Sequence, residues 1–481
     1  MHHPTSPNHN NPSATLTLVS IQDRPAQAPD DARRDNLLVL MDQAFYAGHH
    51  AAGQQEVMQV GWVYHHPVDI EGLERFRDKL GQGMMGRLIE RSPLPFGRWR
   101  WVSDPNPAPL DIAEAVRPRD ELGDWFDERT QLPIDPESGP GWRISVVRLS
   151  DGSTAISLVL SHYVIDGIGA AVAVTQALLD LPVDLGYPPP RSRSRLQALV
   201  QDARGTARDA PDTVRAFLAA VKEARRRQQD VVHSQAQASL PGPPTSGADD
   251  LMIVPNIWIR IRLDEWNALA ETLGGTVSAL AAAFTARLDR HMGRTHGDAD
   301  NVRMLLTVNT RTMDDARAIA VSFVRVGIDP ECVTADLTPA RAAIKQALKD
   351  AKDTPDESAE LVALTPFTPK RAWKHLMDYA VSDPEQPAVC SSLGDTGPAA
   401  SRPDGTLSDG MFARGASQNV TRGWLERAGS QLHVFVGTSM EMNQVGVCVR
   451  GYQPGAVTTR SQLRELAERA LTEFGLAGEI D

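Results

Sequence analysis

The chain has 481 residues, 41% of them hydrophobic and 23% charged, with a formal net charge of −12. That length exceeds one typical core and predicts two lobes, while the acidic balance disfavours a dedicated nucleic-acid binder, whose phosphate contacts need a basic face. Cys332, Cys390 and Cys448 lie far apart with no C-x-x-C pair, which predicts buried thiols in a reducing compartment and neither a zinc site nor a disulfide framework.

Residues 1–30 are rich in Pro, Ser, Asn and His and lack the apolar core of a signal peptide, so a disordered tail is expected. No run approaches the ~18 apolar residues of a membrane span. The expected location is the cytoplasm, with peripheral contact at the inner face of the membrane left open. A first block, 31–185, opens with a helix near Leu37–Leu40, a strand at Val57–Tyr64 and a helix at Ile70–Leu80. Strands recur at Trp142–Leu149 and Thr154–Leu160, and a small-residue helix follows at Ile168–Leu179. Alternating strands and helices predict an α/β layer.

Residues 186–250 have another texture, read as a helical crossover and linker. Between Arg191 and Gln229, nine Arg and one Lys face four acids, while Leu196, Leu199, Val200, Val214, Phe217, Leu218 and Val221 recur at helical spacing. This predicts an amphipathic basic helix or helix pair broken near Pro211. It is either an interlobe crossover with a solvated charged face or a lip that attracts anionic lipid or donor phosphates. Residues 233–250 are loop-like by composition.

The second block, 251–481, repeats the α/β grammar. A half-buried strand is expected at Ile257–Leu263, a helix capped by Asp264 and running to Leu273, and an alanine-rich helix at Val277–Met292. Strands at Arg303–Val308 and Ile319–Ile328 and a helix at Pro339–Lys352 follow. Gln418–Leu425, Leu432–Gly437 and Val445–Arg450 read as a late antiparallel group, and Arg460–Phe474 as a closing helix.

The segment richest in chemistry is Ser161-His162-Tyr163-Val164-Ile165-Asp166-Gly167, set between the strand ending at Leu160 and the helix from Ile168. A histidine titrates near neutrality and shuttles protons. Asp166 can fold back to fix the turn, and Gly167 permits angles that a side chain opposes. The bland alternative is a strand-to-helix turn with a satisfied histidine.

This segment, with Gly141–Leu149 and Asp151-Gly152 before it, resembles the core of the CoA-dependent acyltransferase superfamily. That group includes condensation domains, bacterial wax ester synthase/diacylglycerol acyltransferases and polyketide-associated acyltransferases, and its signature is His-His-x-x-x-Asp-Gly. Here Ser161 stands for the first histidine, and His162, Asp166 and Gly167 match. Looser likeness lies in Val68–Leu80, Leu94-Pro95-Phe96-Gly97-Arg98, Thr307-Val308-Asn309-Thr310-Arg311 and Val389-Cys390-Ser391-Ser392-Leu393-Gly394-Asp395. The Asp-Phe-Gly-Trp-Gly motif of the plant branch has no convincing copy.

The resemblance implies an α/β (α+β sandwich) fold of two chloramphenicol-acetyltransferase-like lobes forming a V with a central tunnel. It implies an O-acyltransferase that moves a fatty or polyketide acyl group from acyl-CoA or an acyl carrier protein to an alcohol, giving an ester lipid. His162 would be the general base midway along the tunnel. Asp166 would pair with an arginine, Arg311 or Arg143, and Ser391, Ser392 and Gly394 would lie near the oxyanion or tunnel. No permanent cofactor or metal is implied; the thioester is a co-substrate. Amide formation with an amine acceptor, and a non-catalytic condensation-like binding protein, stay open as alternatives.

Other signals are weaker. Gly81-Gln82-Gly83-Met84-Met85-Gly86 spells G-x-G-x-x-G but follows a helix-like stretch instead of a strand. His49-His50 and His65-His66 lack evident companion ligands. No G-x-S-x-G elbow occurs, against an α/β-hydrolase, and Met411, Met440 and Met442 read as core fillers.

Overall fold

The computed structural model describes residues 36–181, 183–231, 248–294, 301–312, 315–353, 362–381 and 386–481. The expected tail at 1–30 and most of the 233–250 loop lie outside the described residues. In the first half the chain runs α1 (Leu40–Ala52), β1 (Gln55–Tyr64), α2 (Ile70–Leu80), β2 (Arg87–Glu90), β3 (Arg100–Ser103), β4 (Asp111–Ile112), α3 (Leu122–Thr130), β5 (Trp142–Arg148), β6 (Thr154–Ser161), α4 (Gly167–Leu178) and α5 (Arg195–Val231). The second half runs β7 (Asn256–Arg262), α6 (Leu263–Thr272), α7 (Val277–His291), β8 (Val302–Asn309), β9 (Val321–Ile328), α8 (Thr338–Asp353), α9 (Lys370–Val381), β10 (Ala388–Asp395), β11 (Gly410–Gln418), α10 (Arg422–Ala428), β12 (Gln431–Ser439), β13 (Gln444–Tyr452), α11 (Arg460–Phe474) and β14 (Glu479–Ile480).

Two sheets organise the molecule. The first has strand order β11-β1-β6-β5-β4 and the second β14-β7-β13-β12-β10-β8-β9. Strand β6 is buried along its whole length, as a continuous apolar run at the centre of a covered sheet must be. Helix α2, capped by Asp69, buries Leu73, Phe76 and Leu80 at helical spacing. They pack with Trp62, Ile156 and Leu158 of the sheet and Ala170 and Val174 of α4. The second sheet packs on α7, whose alanine-rich run from Ala279 to Ala286 is buried almost all round, and on α11, closed by a Thr459–Gln462 capping box.

The two halves are not contiguous blocks. Strand β11, from within 251–481, joins the first sheet antiparallel to β1, with Val63 opposite Gly410 and Gln55 opposite Gln418. A third core cluster, including Val63, Trp125, Phe126, Trp258, Phe412 and Cys448, then draws on both halves. The lobes share a seam instead of a simple hinge.

Several local expectations need correction. The strand expected at Gln418–Leu425 ends at Gln418, and α10 follows, capped by Thr421. Asp264 lies in the first turn of α6 instead of capping it; the cap position is Arg262. Pro211 sits inside an unbroken α5, although proline removes one ladder hydrogen bond. Cys332 is exposed, while Cys390 and Cys448 are buried and burial pushes their thiols up to about 11 and about 12. Met440 is exposed, unlike Met411. Strand β9 starts at Val321 instead of Ile319, because the N–H groups of Ile319 and Ala320 are given to carboxylates of the first half.

Candidate active site

The turn from β6 to α4 lies at the seam, and nearly all its polar groups are committed. Ser161, fully buried, accepts the Tyr163 N–H on its hydroxyl at 3.3 Å. The His162 N–H donates to the Glu56 carbonyl at 3.0 Å, and the Glu56 N–H donates to the Tyr163 hydroxyl at 2.8 Å. Buried Arg87 lies over the Trp101 ring at 3.9 Å and donates to the Val164 carbonyl at 2.6 Å and the Ala316 carbonyl at 2.6 Å. Thus Ser161 serves the turn's backbone where the resembled signature has histidine.

Asp166 caps α4 by accepting the Gly169 N–H at 2.7 Å. Its other oxygen accepts from Arg311 at 2.7 Å and from the Ala320 N–H at 2.7 Å. The sequence left Arg311 and Arg143 open; the structure selects Arg311, with both partners of the pair almost wholly buried. Arg143 instead donates to the Pro133 carbonyl at an exposed position. Arg311 also donates to the carbonyls of Asp315, Arg317 and Ala318, so one guanidinium gathers its own loop and ties it to the turn. A Cβ on Gly169 would approach the Arg311 Cζ to 3.2 Å and Ile165 to 2.8 Å, and one on Gly167 would meet Leu393 at 2.9 Å. Both glycines permit close packing of the second half on this turn.

A second carboxylate holds the same loop. Asp42 of α1 accepts the Ala318 N–H at 2.8 Å and the Ile319 N–H at 2.9 Å. Burial pushes its carboxyl up to about 6, even though these N–H groups and Arg87 and Arg317 pull the other way.

Against this fixed frame, His162 is half-buried as a residue. Its Nδ1 is buried and meets no hydrogen-bonding group of another residue. Phe45 contacts the ring edge-on, centroids 5.6 Å apart, and limits its rotation. Burial holds the imidazole below its ordinary pKa, with the charges of Asp166 and Glu56 opposing and His49 assisting. A neutral imidazole at pH 7 is the form able to accept a proton.

Of the second-half residues, Leu393 reaches the turn through Gly167. Ser391 is buried with its hydroxyl paired to Thr307 at 2.8 Å. Ser392 and Gly394 flank a register shift in β10, where Gly394 has φ +70°. The cleft of about 320 Å³ lined by Gly81–Gly83, Asp104, Val183–Leu185 and Tyr187 does not include His162. Among the described residues no group of three or more His, Cys, Asp or Glu could hold a metal ion.

Sequence reasoning missed Asp42, Phe45, Glu56 and Arg87. Tyr163 and Gly169 lay inside or beside the motif and carried that signal; the others come from strands and helices far away in the chain.

No protein-family model matches this sequence, and no curated protein matches it. Solved structures do. A wax ester synthase/diacylglycerol acyltransferase from Marinobacter aquaeolei VT8 superposes with a TM-score of 0.51 at 15% identity, covering 91% of this chain and 98% of its own. The condensation domain from Monacolin K polyketide synthase gives 0.51 at 12% identity, with coverages of 91% and 96%. The chain has the fold of these condensation-like acyltransferases. A nonribosomal peptide synthetase gives 0.50 at 16% identity over 93% of this chain. The chain spans 44% and 45% of the lengths of the nonribosomal peptide synthetases it matches.

Proposed function

We propose that the chain is an acyltransferase that moves a fatty or polyketide acyl group from an acyl thioester, acyl-CoA or acyl carrier protein, to an alcohol. The observation that carries this reading is the contrast at the seam: the turn's backbone is locked, while the imidazole of half-buried His162 is held toward its neutral form by burial and has no hydrogen-bonding partner at Nδ1. Such a ring can act as a general base, worth about 10²–10⁴-fold in rate.

In the proposed reaction the alcohol and thioester approach His162 from opposite sides of a tunnel between the lobes. The imidazole takes the hydroxyl proton as the oxygen attacks the thioester carbonyl. The tetrahedral intermediate collapses, the C–S bond breaks, and the imidazolium returns the proton to the leaving thiolate. Ester and free thiol result, with no redox change. Ser392 and the Gly394 backbone are the proposed oxyanion neighbours, because Leu393 between them already packs on Gly167. Asp166 and Arg311 position the turn and take no proton. The proposed setting is the cytoplasm.

The test is mass spectrometry of products from acyl-CoA and acyl carrier donors mixed with long-chain alcohols or amines. Ester formation supports the reading. Amide alone would reassign the acceptor, and no product from any donor would leave a binding protein with this fold.

A further inference from the structure

Helix α5 is built inside out. Its period places Leu196, Leu199, Val200, Ala203, Ala207, Ala210, Val214 and Phe217 on one face. That face is turned to solvent: Leu196 is 72% exposed, Phe217 59% and Val214 58%. The opposite face carries Ala198, Asp202 and Ala216, which are buried. Polar contacts hold it down. Asp202 accepts from Ser92 at 2.5 Å and pairs with Arg193 at 2.6 Å, and Asp209 lies 3.6 Å from Arg98. The anchoring acids therefore fix which side faces out, and the large apolar residues are left in water.

Arg204, Arg208 and Arg215 run along one border of the apolar stripe, with Arg215 paired to Asp212 one turn back. Beside the helix, Phe96 and Phe367 stack with centroids 5.9 Å apart, and both remain exposed. From 195 to 217 the stripe is about 35 Å long. An apolar face bordered by arginines matches the boundary between lipid headgroups and acyl chains, where the side chains leave water and the guanidinium groups meet phosphate. The rest of the chain is acidic, with a net charge of −12 overall, so the attraction to an anionic layer is local to this helix. Among the described residues, no single helix is long and apolar enough to cross a membrane.

We propose that the outward face of α5 docks on an anionic lipid bilayer, with the helix lying in the interface. Flotation of the full chain with vesicles of phosphatidylcholine, alone or with a third phosphatidylglycerol, tests this. Binding to the anionic vesicles that weakens with salt is the expected result. Leu196→Ser/Val214→Ser/Phe217→Ser should lower that binding at least about tenfold, and Arg204→Gln/Arg215→Gln by about thirtyfold. Thermal melting should hardly change, since these positions are exposed. Equal binding to neutral vesicles, or wild-type binding by the triple variant, would overturn it. So would a wild-type chain that ignores vesicles but forms a dimer abolished by the triple variant, which would make a second copy the occupant.

Discussion

Asp166 and Asp42 hold the same part of the second half, one through Arg311 and Ala320 and the other through Ala318 and Ile319, by different chemistry. Asp166 meets a guanidinium as well as two N–H groups; the hydrogen bonds to Asp42 come from the backbone N–H groups of Ala318 and Ile319. Both are buried. Burial has pushed Asp42 up to about 6, near the pH at which proteins work, so its latch depends on pH; Asp166 faces the buried guanidinium of Arg311.

Breaking the matched latch should cost most. Arg311→Met leaves a buried carboxylate without its cation and is expected to destabilise by about 3–5 kcal/mol in urea unfolding. A loss below about 1 kcal/mol would mean the pair is not the clamp. Gly169→Ala pushes a methyl toward Arg311 and Ile165, an overpacking expected to cost about 1–3 kcal/mol. Circular-dichroism melting would show it, and a neutral result would mean that α4 shifts freely.

Asp42→Asn sharpens the contrast through pH. The native carboxyl titrates above its unfolded value, so its contribution is full below pH about 4 and is lost as pH rises through about 6. Relative to wild type, the Asn variant should therefore gain on the order of 2 kcal/mol between pH 4 and 7. Parallel stability curves would contradict the buried carboxyl. The mildest expectation concerns the His162 ring. With His162 below its ordinary value, acyl transfer should be flat through pH 7 and fall on the acid side below about 6.5.

The sequence made the β6–His162–α4 unit readable because an apolar run, a polar turn and a small-residue helix adjoin one another, and the same motif carried the likeness to acyltransferases. What it hid came from distant partners. Arg311 and Arg143 look alike until a fold brings one of them to Asp166. Strand β11 carries no clear apolar alternation, because it holds Gly410, Gly415 and Arg414. The arginine is tolerated there because it donates to Gln59 and Asp127, each at 2.7 Å. In α5 the apolar spacing was visible, but its direction was set by Ser92, Arg98 and Arg193 holding the opposite face.

The most direct measurement is the acyl-transfer rate of His162→Ala beside that of the wild type at neutral pH, with folding checked by melting. A fall of about 10²–10⁴-fold in kcat at unchanged melting temperature is expected. An alanine variant that turns over as fast as the wild type would contradict it.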